Sequence, residues 1–276
     1  MAPSDTRHRI ALVGGGTMAE AIIARLVAEG YSPAKYIRVG EPIAERRKAL
    51  EETYGILAFA GNGEAVSGAD LVILAIKPQA LAAALGGLRG TLDSDTLVLS
   101  IVAGATIAQI HSLLDVETIV RAMPNTPCQI GEGATVWVAT EATSQAQRDL
   151  AGDILQLLGL TIEVHEERYL NMATALSGSG PAYVFLFIEA MVEAGVRLGF
   201  ARSTAERLAL QTVRGAAIYA QETGLSPAEL RARVTSPGGT TAEGLYQLER
   251  GGLRTAVLDA VQAAYQRADE LGRTKA

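Results

Sequence analysis

Arg9-Ile10-Ala11-Leu12-Val13-Gly14-Gly15-Gly16-Thr17-Met18-Ala19 is the stretch that decides the architecture of this chain. Arg9 to Val13 reads as a short buried strand. The glycines turn the chain, and Glu20-Ala21-Ile22-Ile23-Ala24-Arg25-Leu26-Val27 then follows with the period of a helix. The pattern is G-x-G-x-x-A between a strand and a helix, the setting in which a dinucleotide is bound. Gly14 permits the tight turn, Gly16 lets a pyrophosphate reach the backbone, and the small Ala19 lets helix pack closely on strand. Val13, Gly15, Thr17 and Met18 complete the loop. The motif alone is weak; the strand and helix on either side give it specificity.

A second strand is expected at Tyr36-Ile37-Arg38-Val39, with Glu41 just past its end. A carboxylate there is placed to accept hydrogen bonds from the hydroxyls of an adenosine ribose, which favours NAD and repels a 2′-phosphate. Arg46 and Arg47 lie one turn on and could reach such a phosphate, or form a solvated helix face. The residues therefore leave NADP and NAD both open. Asp70-Leu71-Val72-Ile73-Leu74-Ala75-Ile76 and Thr96-Leu97-Val98-Leu99-Ser100-Ile101 are continuous apolar runs of the parallel-sheet kind. Ligands of open α/β sheets lie beyond the carboxyl ends of the strands. Ala75 and Ile76 at the end of the first run with Lys77 and Pro78 after it, and Val102, Ala103 and Gly104 after the second, would line the nicotinamide end of a crevice. Lys77 could equally be an exposed strand-end lysine. Ile119 to Pro127 closes the crevice on the same logic, with Asn125 and Thr126 able to donate hydrogen bonds. Thr135 to Ala139 and Thr161 to Val164 look like later strands of the same sheet.

The 276 residues suffice for two domains with sizeable cores, and 49% hydrophobic against 5% aromatic content makes those cores aliphatic. The net charge of −6, with basic residues scattered, argues against nucleic acid or an anionic membrane as partner. A single cysteine, Cys128, allows no internal disulfide, fits a reducing compartment and lacks the neighbours that would make it a nucleophile. His8, His111 and His165 have no metal-ligand spacing to one another or to Cys128, so no metal is expected. Met1 to His8 lacks the apolar core of a signal peptide and reads as a frayed tail. The most apolar helix-like stretch, Ala182 to Val192, is too short to span a bilayer and contains Glu189. A soluble, cytoplasmic protein is expected.

The chain changes character near residue 165, after which no convincing strand remains. Glu166 to Leu176 reads as a helix, and Ser177-Gly178-Ser179-Gly180-Pro181 as a turn that loads Pro181 at the first position of the next. Ala182 to Val192 is apolar on nearly all faces, so it must be buried all round; a small helical domain cannot do that alone and a subunit partner is the natural solution. Further helices are expected over Thr204 to Thr223, after the capping box Ser226-Pro227-Ala228-Glu229, and over Leu253 to Leu271. Between the last two, Val234-Thr235-Ser236-Pro237-Gly238-Gly239-Thr240-Thr241-Ala242-Glu243-Gly244-Leu245 breaks the helical pattern and starts another helix. Thr240 and Glu243 are spaced as a capping box with Thr240 as N-cap. Free amides at such a helix start, aided by the hydroxyls of Ser236, Thr240 and Thr241, make a site for a carboxylate, though a plain interhelical turn has the same composition.

Gly14 to Ala19, Ala75-Ile76-Lys77-Pro78, Arg121-Ala122-Met123-Pro124-Asn125-Thr126-Pro127, Ser177-Gly178-Ser179-Gly180-Pro181-Ala182-Tyr183 and Thr235 to Thr241, in this order and over almost the whole chain, resemble the pyrroline-5-carboxylate reductases. The resemblance implies an α/β Rossmann-type N-terminal domain, residues 1–165, followed by an all-α C-terminal dimerisation and substrate-binding domain, residues 166–276. It implies a homodimer of interleaved helices, assembled in some members as a decamer. It implies reduction of 1-pyrroline-5-carboxylate to L-proline, the last step of proline synthesis, with NADPH or NADH giving a hydride to the imine carbon. The family's substrate pocket lies between the Rossmann domain of one subunit and helices of the dimer. By motif, Ser236, Gly238, Gly239, Thr240 and Thr241 would hold the substrate carboxylate and ring, with Thr241 beside the ring nitrogen and Ser236 and Thr241 as the catalytic pair. Asn62, Lys77 and Pro78 match cofactor-contacting positions. Glu41 departs from the serine, asparagine or arginine often found at the adenosine-ribose position.

A cyclic imine protonates easily, and the resulting iminium carbon accepts hydride without a strong general acid. The enzyme then has to supply position, and good positioning of two reactants is worth about 7–11 kcal/mol in favourable cases. The lack of a well-placed histidine fits such a reaction, whereas a hydroxyacid dehydrogenase wants a His or Lys at its carbonyl. Two alternatives stand beside it: a related small-carboxylate imine or hydroxyacid reductase, and a non-catalytic NAD(P)-sensing protein.

Overall fold

The apolar runs become strands because both of their faces are covered. In the computed structural model, which describes residues 8–273, β1 (Ile10–Val13), β2 (Ile37–Gly40), β3 (Leu57–Phe59), β4 (Leu71–Leu74), β5 (Leu97–Ser100), β6 (Ile119–Met123), β7 (Gly133–Ala139) and β8 (Gly159–Glu163) form one sheet. The spatial order is β3-β2-β1-β4-β5-β6-β7-β8, parallel throughout except between β6 and β7. Ile10 and Leu12 pack on one face with Ile22, Ile23 and Leu26; Ala11 and Val13 pack on the other with Val72, Leu74 and Leu85. Successive side chains point to opposite faces, so a strand buried on both sides is apolar throughout.

Six helices connect the strands: α1 (Thr17–Ala28), α2 (Ala44–Tyr54), α3 (Asn62–Val66), α4 (Leu81–Leu85), α5 (Ile107–Leu114) and α6 (Gln145–Gln156). Thr106 with Gln109, and Ser144 with Gln147, close complete capping boxes at α5 and α6. From β6 the chain reaches β7 through a 3₁₀ turn, Thr126–Ile130, which is too short for a crossover, so the two strands run antiparallel. The strand order reverses between β1 and β4, and a crevice at their carboxyl ends is the consequence.

After β8, α7 (Arg168–Ala173) leads through a π-helical turn, Thr174–Gly178, into α8 (Gly180–Arg197). The expected break at Ser177–Pro181 is therefore not a break. The Ser179 amide donates to the Thr174 carbonyl at 2.8 Å, and the wider turn is absorbed because the Thr174 and Ser177 hydroxyls donate to the Leu170 and Ala173 carbonyls at 2.7 and 3.0 Å. The whole run, Arg168–Arg197, is long and apolar enough to cross a bilayer by length and composition alone, which corrects the shorter estimate from the apolar stretch. Because α7 packs on β6 and β7, the first compact unit extends to Ser179 and takes in the chain again from Ala264, whereas the sequence pattern changes at residue 165.

The second unit, Gly180–Ala263, holds α8, α9 (Arg202–Thr223), α10 (Pro227–Arg233), α11 (Thr240–Arg250) and the start of α12 (Leu253–Arg273). Val192 of α8 packs with Ala205 and Ala209 of α9. Gly195 is required there, since a Cβ would stand 2.9 Å from that of Ala205. This cluster is small. Phe185, Leu186 and Leu198 are left 57%, 68% and 82% exposed, and burying each is worth about 1.5–3 kcal/mol, so the helices need a second surface to complete their core.

Candidate active site

The glycine turn sits at the reversal of strand order. Gly14 and Gly15 are buried, while Gly16 and Thr17 are exposed. Gly14 has φ +95°, and a Cβ on it would lie 2.6 Å from Ile76 Cγ2 and 2.8 Å from the Ala75 carbonyl oxygen. Its amide donates to the Gly40 carbonyl at 2.8 Å and ties the turn to the end of β2. Gly15 is equally constrained, for a Cβ there would meet Leu50 Cδ1 at 2.9 Å. Gly16 is different: nothing lies within 4 Å of its would-be Cβ. It is the N-cap of α1 and offers no side chain to the first amides of that helix. Those amides, with the positive end of the helix dipole, suit a pyrophosphate, and the open space at Gly16 lets one approach. Val13 below, and Thr17 and Met18 above, complete the cradle.

At the end of β2, Glu41 is 8% exposed. Its Oε2 accepts the Gly15 amide at 3.0 Å and its Oε1 accepts the Ile43 amide at 2.9 Å. The carboxylate assigned by sequence to a ribose is thus engaged with backbone on both oxygens. Arg46 Nε donates to the Gly15 carbonyl at 2.6 Å and its Nη2 pairs with Glu20 at 2.7 Å. Arg47 Nη1 donates to the carbonyls of Glu41 and Pro42 at 2.8 and 2.9 Å. Arg46 braces the glycine turn and Arg47 the chain just past β2, roles the sequence does not announce. Asn62, the first residue of α3, stands directly against Gly40 and donates to the Ala84 carbonyl at 3.1 Å.

The loops after β4 and β5 bring Ala75, Ile76, Lys77 and Pro78 to the same edge of the sheet as Val102, Ala103 and Gly104. Lys77 is exposed and Val102 is buried, its amide donating to Ser100 Oγ at 3.3 Å. Gly104 has φ +72°. Next along, Arg121 of β6 is buried and pairs with Glu167 Oε1 at 2.7 Å; the same oxygen accepts the Ile107 amide at 2.8 Å. An arginine inside an apolar strand run is the signal by which this pair could have been found. Asn125 is a structural tie, accepting the Ala134 amide at 2.9 Å and donating to the Ser177 carbonyl at 3.0 Å, while its NH₂ group carries a second N–H that neither bond uses. Cys128 is buried, and burial pushes its thiol up. Among the described residues no cluster of His, Cys, Asp and Glu could hold a metal ion.

In the helical unit, the Ser236-to-Thr241 turn ends at a helix start as expected, with one correction. The N-cap of α11 is Gly239, in extended conformation, and Thr240 is already helical. No side chain caps the helix: Glu243 accepts from Gln247 Nε2 at 3.0 Å instead of reaching back. The turn is shaped by Gly238 at φ +67° and by Gly239, whose would-be Cβ collides with Ser236 Oγ. The first amides of α11 therefore remain available beside the hydroxyls of Ser236, Thr240 and Thr241.

A doubly wound sheet that reverses at a glycine turn, open where a pyrophosphate must approach, defines a dinucleotide-binding α/β protein. Residues 9–104 match the family model for NADP oxidoreductase, coenzyme F420-dependent, and residues 167–271 match that for pyrroline-5-carboxylate reductase dimerisation. The chain belongs to the pyrroline-5-carboxylate reductase family. It is 44% identical to the pyrroline-5-carboxylate reductase of Synechocystis over 96% of this chain and 98% of that one, and 42% identical to that of Pseudomonas aeruginosa over 95% and 96%. Among solved structures, the pyrroline-5-carboxylate reductase of Coxiella burnetii superposes with a TM-score of 0.91 at 41% identity, covering 96% of this chain and 99% of that one. The Plasmodium falciparum enzyme, solved with NADP bound, gives 0.87 at 29% identity over 96% and 98%.

Proposed function

We propose that this chain reduces 1-pyrroline-5-carboxylate to L-proline, with NADPH as electron donor and NADH as a second donor. The reading is supported by the identity with reductases of that name along nearly the full length of both chains. The observation within the chain that carries it is the turn itself: packed solid at Gly14 and Gly15, open at Gly16.

The pyrophosphate is assigned to Gly14, Gly15, Gly16, Thr17 and Met18, just beyond Val13. Glu41 and Asn62 stand at the adenosine end, and Ala75, Ile76, Lys77, Pro78, Val102, Ala103 and Gly104 at the nicotinamide end. Bound there, a reduced nicotinamide supplies two electrons and one hydrogen to the ring C=N bond. The chain's own task is to hold the imine. Ser236, Gly238, Gly239, Thr240 and Thr241 grip the substrate carboxylate and ring through hydroxyls and the amides at the start of α11. Ser236 and Thr241 act as the catalytic pair, with the Thr241 hydroxyl beside the ring nitrogen, which takes its proton from water before reduction.

Residues 1–165 are assigned to dinucleotide binding and 166–276 to dimerisation and substrate binding. The exposed apolar length of α8 supports a homodimer, in which the helix meets a second copy and not lipid. Five dimers then form a decamer, and the protein is soluble and cytoplasmic.

The test is an assay of NADPH and NADH oxidation with pyrroline-5-carboxylate against 2-oxo acids plus amine. Turnover confined to the pyrroline supports the reading. Tight cofactor binding without turnover of any imine overturns it in favour of a nucleotide sensor.

A further inference from the structure

Asn171 is a polar residue without an assigned task. It lies on α7, four residues after Glu167, whose carboxylate anchors the start of that helix to Arg121 of β6 and to the Ile107 amide at the head of α5. Residues four apart on a helix share a face, so the anchor fixes the face of α7 that carries Asn171. Asn171 lines a cleft of about 110 Å³ whose walls include Pro78, Gln79, Ala103, Gly104, Thr174 and Leu271, and it also borders the neighbouring cleft around Arg121 and Glu167. Pro78, Ala103 and Gly104 belong to the loops after β4 and β5, at the carboxyl edge of the sheet. The Thr174 hydroxyl is spent on the Leu170 carbonyl at 2.7 Å. The side-chain amide of Asn171 makes no hydrogen bond to another described residue, and it is half-buried.

We propose that Asn171 binds the carboxamide of the nicotinamide ring, so that α7 forms a third wall of the cofactor's reactive end. This rests on the reading that the crevice holds a nicotinamide dinucleotide. A carboxamide offers a carbonyl acceptor and an NH₂ donor, and an asparagine side chain offers the matching donor and acceptor in one plane. Pro78, Ala103, Gly104 and Leu271 present no side-chain hydrogen-bonding group and Gln79 is exposed, so Asn171 is the half-buried carboxamide on this wall able to fix the rotation of the ring.

The probe is the 3-acetylpyridine analogue of the reduced cofactor, in which a methyl group replaces the NH₂. Calorimetric titration of the intact oligomer should show the natural cofactor bound roughly tenfold more tightly than the analogue, the worth of about one hydrogen bond. Asn171→Leu, of similar size, should bring that ratio close to one. A ratio retained in Asn171→Leu overturns the proposal. If that variant does not fold, Asn171→Asp decides: its carboxylate should raise the affinity for the oxidised, cationic cofactor severalfold relative to the reduced one, and an unchanged preference overturns the role. Failure of the unsubstituted protein to bind either dinucleotide removes the cofactor reading as well, whereas binding with discrimination indifferent to residue 171 removes only this proposal.

Discussion

Glu41 Oε2 accepts the Gly15 amide at 3.0 Å, so the carboxylate that ends β2 holds the glycine turn from below. Its second oxygen holds the Ile43 amide, and Arg46 takes the Gly15 carbonyl from the other side. A glutamine at position 41 has one acceptor oxygen, so one of the two amides would lose its partner and face an NH₂ group. Glu41→Gln should therefore cost roughly 1–3 kcal/mol of stability, read as a fall of several degrees in Tm. With the negative charge gone, the ratio of kcat/KM for NADPH to that for NADH should rise.

The glycines of the turn separate stability from binding. Gly14→Ala would force a Cβ against Ile76 and the Ala75 carbonyl at a positive φ, and should destabilise the protein by roughly 1–3 kcal/mol. At Gly16 the backbone, φ −69°, suits any residue and a Cβ meets nothing. Gly16→Ala should leave Tm unchanged and weaken NADPH binding roughly tenfold or more, as titration calorimetry would record.

Ser226 and Glu229 close a complete capping box on α10, with the Ser226 hydroxyl donating to Glu229 at 2.7 Å. Ser226→Ala should cost about 1 kcal/mol. The hydrogen bonds from Ser226 hold the Glu229 carboxyl below its ordinary range. A carboxyl depressed on folding contributes stability that is whole above its unfolded pKa and is lost as pH falls through the lower folded value. Ser226→Ala removes the hydroxyl but keeps the backbone amide that also donates to Glu229, so the Glu229 component in an acid titration of Tm should shrink.

Thr240 caps nothing and should tolerate alanine with less than about 0.5 kcal/mol lost, well under the value for a true N-cap. Thr241→Ala should fold normally and lower kcat roughly 10²-fold, the low end for a single proton-handling or hydrogen-bonding group. Unchanged kinetics would remove Thr241 from the site.

Phe185 is more than half exposed on α8. Phe185→Asp should cost a single chain little and shift the protein to monomer by light scattering, with activity lost alongside.

The frame of the first unit was legible because β1, β4 and β5 are uninterrupted apolar runs, a pattern forced by burial on both faces. β3 was not: Leu57–Phe59 is three residues at a half-exposed edge, and nothing in Leu-Ala-Phe marks it. Ser177 to Pro181 reads as a break because two glycines and a proline lie together, yet hydroxyl back-bonding lets the helix continue through them. At Thr240 the spacing to Glu243 suggested the cap, but the extended Gly239 takes that position and moves the helix boundary by one residue. Arg46, which braces the glycine turn, and Arg47, which holds the chain just past β2, are hidden for another reason: apart from the Glu20 carboxylate beside Arg46, their partners are backbone carbonyls brought near by folding, which leave no trace in the order of side chains.

In the proposed homodimer α8 completes its core against another copy, and folding and association then belong to one equilibrium. Mass action then governs endurance: dilution should lower the melting midpoint, and added protein should raise it, without any change in sequence or solvent.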